Sequence, residues 1–159
     1  MSQEFQNLPV KATSSDGRNF TLCEPVIYCA KNNETFRAAV GGSTDGLSTP
    51  KQIWSLIPPF GSYWPAGIIH DAGYRNSLEK RQPDGTWSKI ALAKDECDEI
   101  FLEAMESLGV ELLLREAIYE GVHLGGAWAF DDDHHPKLKA YVQSLPLSLR
   151  NSLGVVAEK

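Results

Sequence analysis

The chain has 159 residues, 42% of them hydrophobic and 23% charged, which suits one ordinary domain with a self-sufficient core and excludes a chain disordered or fibrous over most of its length. With 15 Lys and Arg against 21 Asp and Glu, a formal charge of -6, the composition offers little basic surface to displace counterions from phosphates, so no nucleic-acid partner is expected. No run approaches the roughly 18 apolar residues of a transmembrane segment, and the opening Met-Ser-Gln-Glu-Phe-Gln-Asn lacks the regions of a signal peptide, so the expected location is the cytoplasm.

Residues 1–16 are polar and turn-rich and read as a flexible N-terminus, ending in the turn signal Ser14-Ser15-Asp16-Gly17. The region 17–60 reads as sheet and loop. Phe20, Leu22, Val26, Ile27 and Tyr28 give a strand pattern from Asn19 to Ala30, broken or bulged at Pro25 because proline cannot donate to a ladder. Asn32-Asn33 offers a hairpin turn into a second strand near Thr35 to Val40. Thr49-Pro50 opens a short helix from about Pro50 to Leu56, which Pro58-Pro59 ends. Cys23, Cys29 and Cys97 are too scattered for a disulfide framework or a zinc knuckle and read as reduced core residues, with a Cys23–Cys29 bridge as the alternative.

The region 61–130 reads as a helical core. A helix from Trp64 to about Leu78 tolerates Pro65 in its first turn and places His70 and Tyr74, four apart, on one face. Pro83-Asp84-Gly85 marks an exposed turn or hairpin within Glu79 to Ser88. From Ile90 to Leu108 a stripe of Ala93, Cys97, Ile100, Phe101, Ala104, Met105 and Leu108 repeats at helical spacing, and Gly109 stands at the C-cap. A third helix runs from Val110 to about Trp128, loosened at Gly125-Gly126. The C-terminal extension, 131–159, begins with Asp131-Asp132-Asp133-His134-His135, a solvated loop, and holds a short amphipathic helix from Lys137 to Leu145. The predicted fold class is α+β, a small N-terminal antiparallel sheet followed by a bundle of three main helices in a single domain, 1–159.

Chemistry concentrates on two helices. His70 can take a proton from water near neutral pH if a carboxylate fixes its other ring nitrogen, and Asp98, at the edge of the apolar stripe, is the natural partner because a charge placed there needs one. Asp71 projects about 100° around the helix from His70, towards a loop or a cation. Asp45 either caps local backbone or joins the site. His123 reads as a satisfied histidine beside an apolar stripe.

The run His70-Asp71-Ala72-Gly73-Tyr74-Arg75-Asn76 with Asp98-Glu99-Ile100-Phe101 resembles the paired active-site helices of secreted, calcium-dependent phospholipases of the short bacterial kind. That resemblance implies His70 as general base, Asp98 as its orienting partner, Asp71 as ligand to a divalent cation, calcium, and Tyr74 as support for the carboxylate. A wider pattern, Gly41-x-x-Thr44-Asp45-x-x-Ser48-x-Pro50 followed by Pro65-Ala66, His70-Asp71-x-x-Tyr74 and Asp98-x-x-Phe101, is similar to an uncharacterised family of short phage and prophage proteins. It implies that Asp45 and Ser48 belong to the same site, and it sets the cytoplasm in a host cell, or the protein on a virion.

Two functions follow as expectations. One is a phage-type hydrolase of esters or phosphoesters, in which His70 activates water. The other is a noncatalytic virion component or host-factor-binding protein that reuses the helix pair as scaffold, its phage or host protein partner unidentified.

Overall fold

The computed structural model describes residues 4–46, 60–124, 140 and 143–148. Among the described residues, eight strands and three main helices follow in the order β1 (Glu4–Gln6), β2 (Ala12–Thr13), β3 (Phe20–Leu22), β4 (Val26–Cys29), β5 (Thr35–Ala38), β6 (Ser43–Thr44), α1 (Trp64–Tyr74), β7 (Glu79–Arg81), β8 (Trp87–Lys89), α2 (Lys94–Ser107) and α3 (Leu112–Leu124). The class is α+β, an antiparallel sheet with three helices, as the patterns predict.

Proline decides where the first strand region divides. Pro25 cannot donate to a ladder, and the chain on either side of it enters different sheets: β3 joins a three-stranded sheet of order β2-β3-β6, and β4 joins a five-stranded sheet of order β1-β4-β5-β7-β8. Cys23 falls in the connection and is exposed, while Cys29 and Cys97 are buried and all three are free. The reading of Cys23 as a core residue is thereby corrected, and the alternative Cys23–Cys29 bridge is not formed.

Two further departures have the same origin in long-range pairing. The stretch read as a flexible N-terminus carries β1 and β2, with β1 aligned antiparallel to β4 through Phe5 and Tyr28, whose rings lie 4.9 Å apart. The turn at Gly85 does close a hairpin, β7–β8, but β7 also pairs with β5 through Phe36 and Lys80, so the sheet reaches past the N-terminal third to strands between α1 and α2.

Helix ends follow local chemistry. α1 stops at Tyr74 rather than near Leu78 because Asn76 turns left-handed at φ 53, which Asn tolerates, and the Ser77 amide returns to the Ala72 carbonyl at 2.9 Å. α2 begins at Lys94 rather than Ile90, since the Glu96 carboxylate accepts from the Ala93 amide at 2.8 Å and the Ile90 amide is committed to Leu78. Gly109, at φ 70, ends the helix where predicted. Glu111 caps α3 by accepting from the Leu113 and Leu114 amides.

The core lies between the five-stranded sheet and the helices, with Tyr28, Phe36, Ile69, Leu78, Phe101 and Met105 fully buried. α2 is pinned to the sheet by Glu103, which accepts from the Tyr28 hydroxyl at 2.7 Å and the Lys31 amide at 2.8 Å. Trp64 packs edge-on against Phe20 and Phe60 beside this core. Ala140, Gln143 and Ser144 are helical, within the short C-terminal helix expected. The helix at Pro50, Ser48, Trp54, Trp128 and His134-His135 lie outside the described residues.

α1 and α2 approach closely because Gly73 has no side chain: a Cβ there would stand 2.8 Å from the Cys97 sulfur. Gly73→Ala is expected to lower stability by roughly 1 to 3 kcal/mol, the usual range for overpacking. Chemical denaturation of Gly73→Ala, Cys97→Ala and the double variant checks it, the double variant recovering most of that loss because the clashing sulfur is gone; additive losses would place the strain elsewhere.

Candidate functional site

The site is assembled on one carboxylate. Asp98 has no solvent exposure, and each of its oxygens faces two donors. His70 Nε2 lies 2.8 Å from Oδ1, and the Tyr74 hydroxyl donates to the same oxygen at 2.5 Å. Lys94 Nζ donates to Oδ2 at 2.7 Å, and His123 Nδ1 lies 2.9 Å from it. A carboxylate offers about four lone-pair sites, so this one is fully engaged.

Helical spacing explains three of the four partners. His70 and Tyr74 stand one turn apart on α1 and their rings meet at 4.1 Å. Lys94 stands one turn before Asp98 on α2. Phe101, three residues after Asp98, lays its ring 4.7 Å from that of His70 and completes an apolar wall. The fourth partner arrives from α3, where His123 stacks on Tyr119 at 5.6 Å and its carbonyl accepts a second bond from Lys94 Nζ at 2.9 Å.

The electrostatics follow from burial and donors. Burial alone would raise the Asp98 pKa, but Lys94, Tyr74, His70 and His123 all favour the ionised form and hold it well below the usual carboxylate range. His70, 6% exposed, is shifted the other way: burial lowers its pKa by more than Asp98 raises it, and the nearby Lys94 charge lowers it further. Tyr74 is pushed up by burial and by its bond to Asp98, so it stays a donor. At neutral pH the pair is therefore a neutral imidazole donating from Nε2 to an ionised carboxylate, with the lone pair on Nδ1.

Of the residues singled out in sequence, His70, Tyr74 and Asp98 meet here. Asp71, on another arc of α1, and Asp45, just after β6, form a separate group. The Thr44 hydroxyl donates to Asp71 at 2.9 Å, Asp45 pairs with Arg75 at 3.6 Å, and Arg75 reaches the Ser43 carbonyl and hydroxyl. Burial pushes the Asp71 pKa up to about 6, against the Thr44 bond and the Arg75 charge, with Asp45 adding to the rise. Among the described residues Arg75 pairs with Asp45 and lends its charge to Asp71, and these carboxylates belong to no group of three or more ligand-type side chains, a poor fit for calcium, which takes roughly six to eight oxygen ligands. A set with ligand spacing is Asp95, Asp98 and His123, whose atoms lie within 4.8 Å of one another, and there Lys94 already sits on Asp98.

The sequence pattern marks His123 only as a satisfied histidine and does not mark Lys94 on its own. The spacing Lys94-x-x-x-Asp98 is a legible signal, since it fixes both on one helix face. His123 carries none, because its place depends on how α3 crosses α2; the reading of it as a satisfied histidine left its partner unnamed.

Residues 20–122 match the model of a family described as Protein of unknown function (DUF1353). No curated protein and no solved structure matches the chain.

Asp71 offers a direct test of the electrostatics. Its folded pKa, about 6, lies above the ordinary 3.8, so the folded state binds the extra proton between those values and stability falls as pH rises through that window. Asp71→Asn keeps an acceptor for Thr44 without the charge. It is expected to raise stability by roughly 1 to 3 kcal/mol at pH 7.5 and to give no such gain near pH 4, read by urea denaturation at both pH values.

Proposed function

The chain belongs to the DUF1353 family, and from the geometry of its buried helix pair we propose that it is a hydrolase of ester or phosphoester bonds in which His70 activates water. The observation that carries the reading is the buried His70–Asp98 pair at 2.8 Å, with the imidazole kept neutral and the carboxylate kept charged. In the attack step a water oxygen bonds to the carbonyl carbon or phosphorus while Nδ1 of His70 takes a water proton. The imidazolium so formed is stabilised by Asp98, which remains ionised, and returns the proton to the leaving oxygen as the scissile bond breaks. The rings of Tyr74 and Phe101 pack against that of His70 and restrict it. The sequence resemblance to phospholipase helices supports the reaction type, and the resemblance to short phage and prophage proteins supports a phage or prophage setting.

A second reading rests on the same carboxylate. A charge that is wholly buried and given four donors is also what a structural hub requires, and a noncatalytic phage protein built on this helix pair would need nothing more from it.

His70→Gln separates the two. A glutamine amide can donate to Asp98 in place of Nε2–H, so the helices stay tied, but no base remains. Hydrolysis of a panel of carboxylic esters and phosphodiesters is expected to fall roughly 100- to 10,000-fold in His70→Gln with the melting temperature nearly kept. The wild-type rate should rise with pH through a midpoint below the ordinary imidazole value, since the neutral form is the base and His70 is shifted down. Wild-type protein that cleaves nothing in the panel would sink the hydrolase reading in favour of the hub.

A further inference from the structure

We infer that Lys94 and His123 are positioning residues for the His70–Asp98 pair, which makes the end of α3 part of the site; the inference rests on the hydrolase reading for its kinetic arm alone. The argument begins with the carboxylate itself. A carboxylate has two equivalent oxygens and a broad torsion about its last bond, so a single hydrogen bond to His70 would leave its plane loosely set. The structure divides the oxygens between two tasks: Oδ1 takes His70 and Tyr74, and Oδ2 takes Lys94 and His123. The second pair fixes the rotation that the first pair uses.

That second pair is itself tied together. Lys94 Nζ bridges Asp98 Oδ2 at 2.7 Å and the His123 carbonyl at 2.9 Å, while His123 Nδ1 faces the same Oδ2. The result is a closed ring of contacts joining the first turn of α2 to the last turn of α3. Stacking on Tyr119, with the planes 14° apart, turns the His123 ring so that Nδ1 points inward. With Asp98 ionised, each histidine donates to it, and the two rings are held in opposite tautomers: His70 carries its proton on Nε2 and His123 on Nδ1. Removing either Oδ2 partner leaves a buried lone pair without its donor and loosens the rotation that holds Oδ1 against His70.

The tautomers give a readout that a merely structural role would not move. Long-range proton–nitrogen NMR at a single alkaline pH should find wild-type His70 in the Nε2–H form and the His123 proton on Nδ1. In Lys94→Met and in His123→Leu, His70 is expected to lose its single tautomer and average between the two. His123→Asn should restore it, because the Asn side-chain amide can donate near the position of Nδ1. In the hydrolysis assay the first two variants should lower kcat by roughly 10- to 100-fold with KM little changed, as small misplacements of a base do, with recovery in His123→Asn. Should His123→Leu not fold, Lys94→Met decides, since the Lys94 side chain is half exposed. A His70 ring that keeps the Nε2–H form in the folded variants overturns the inference even if the protein is a hydrolase. A wild type without hydrolysis, in which the tautomer still depends on Lys94 and His123, defeats the hydrolase reading and leaves the positioning intact.

Discussion

A carboxylate with no solvent exposure must receive from the protein what water would otherwise give it, and Asp98 receives it from three helices at once. His70 and Tyr74 come from α1, Lys94 from its own helix, and His123 from α3. Leaving such a charge partly unpaired costs several kcal/mol, so each helix is held where its donor reaches. The same helix is fixed on its other side by Glu103, whose oxygen joins the Tyr28 hydroxyl and the Lys31 amide. Two acidic residues on α2 thus set its register, one against the sheet and one against the helices, with Phe101 buried between them in sequence.

Helix geometry separates the two adjacent residues His70 and Asp71 more completely than their adjacency suggests. Successive residues on an α-helix point about 100° apart, and here that angle places one side chain against α2 and the other against β6. The two carboxylates involved, Asp98 and Asp71, then behave oppositely. Asp98 is fully buried but has four donors, so it stays charged. Asp71 is partly buried and has one hydroxyl donor and a nearby guanidinium, so desolvation dominates and its proton is held up to about pH 6. Burial does not decide ionisation alone; the number and charge of the donors do.

For the imidazole, the consequence is a ring kept neutral by its own burial. An ionised partner usually raises a histidine pKa, yet His70 is buried against Tyr74 and Phe101 and feels Lys94 as well, so the net shift is downward. Lys94 offsets the charge of Asp98 without removing its hydrogen bond, which leaves orientation and basicity under partly separate control. The α3 contact adds to orientation through His123.

The sequence by itself determined what local spacing encodes. The stripe from Cys97 to Met105 and the glycine at 109 define α2 and its end; His70 and Tyr74 four apart, and Asp98 with Phe101 three apart, define faces of single helices. These are properties of a 3.6-residue turn and need no partner to be read. Tertiary structure decided what depends on pairing between distant segments: that β7 adds to β5, that Phe5 anchors an otherwise polar N-terminus on Tyr28, that Pro25 sends its two sides into different sheets, and that Asp71 meets Thr44. His123 reaches Asp98 only because of the angle at which α3 crosses α2. Register across a sheet and the crossing of two helices are fixed by contacts far apart in the chain, and no short-range periodicity carries them.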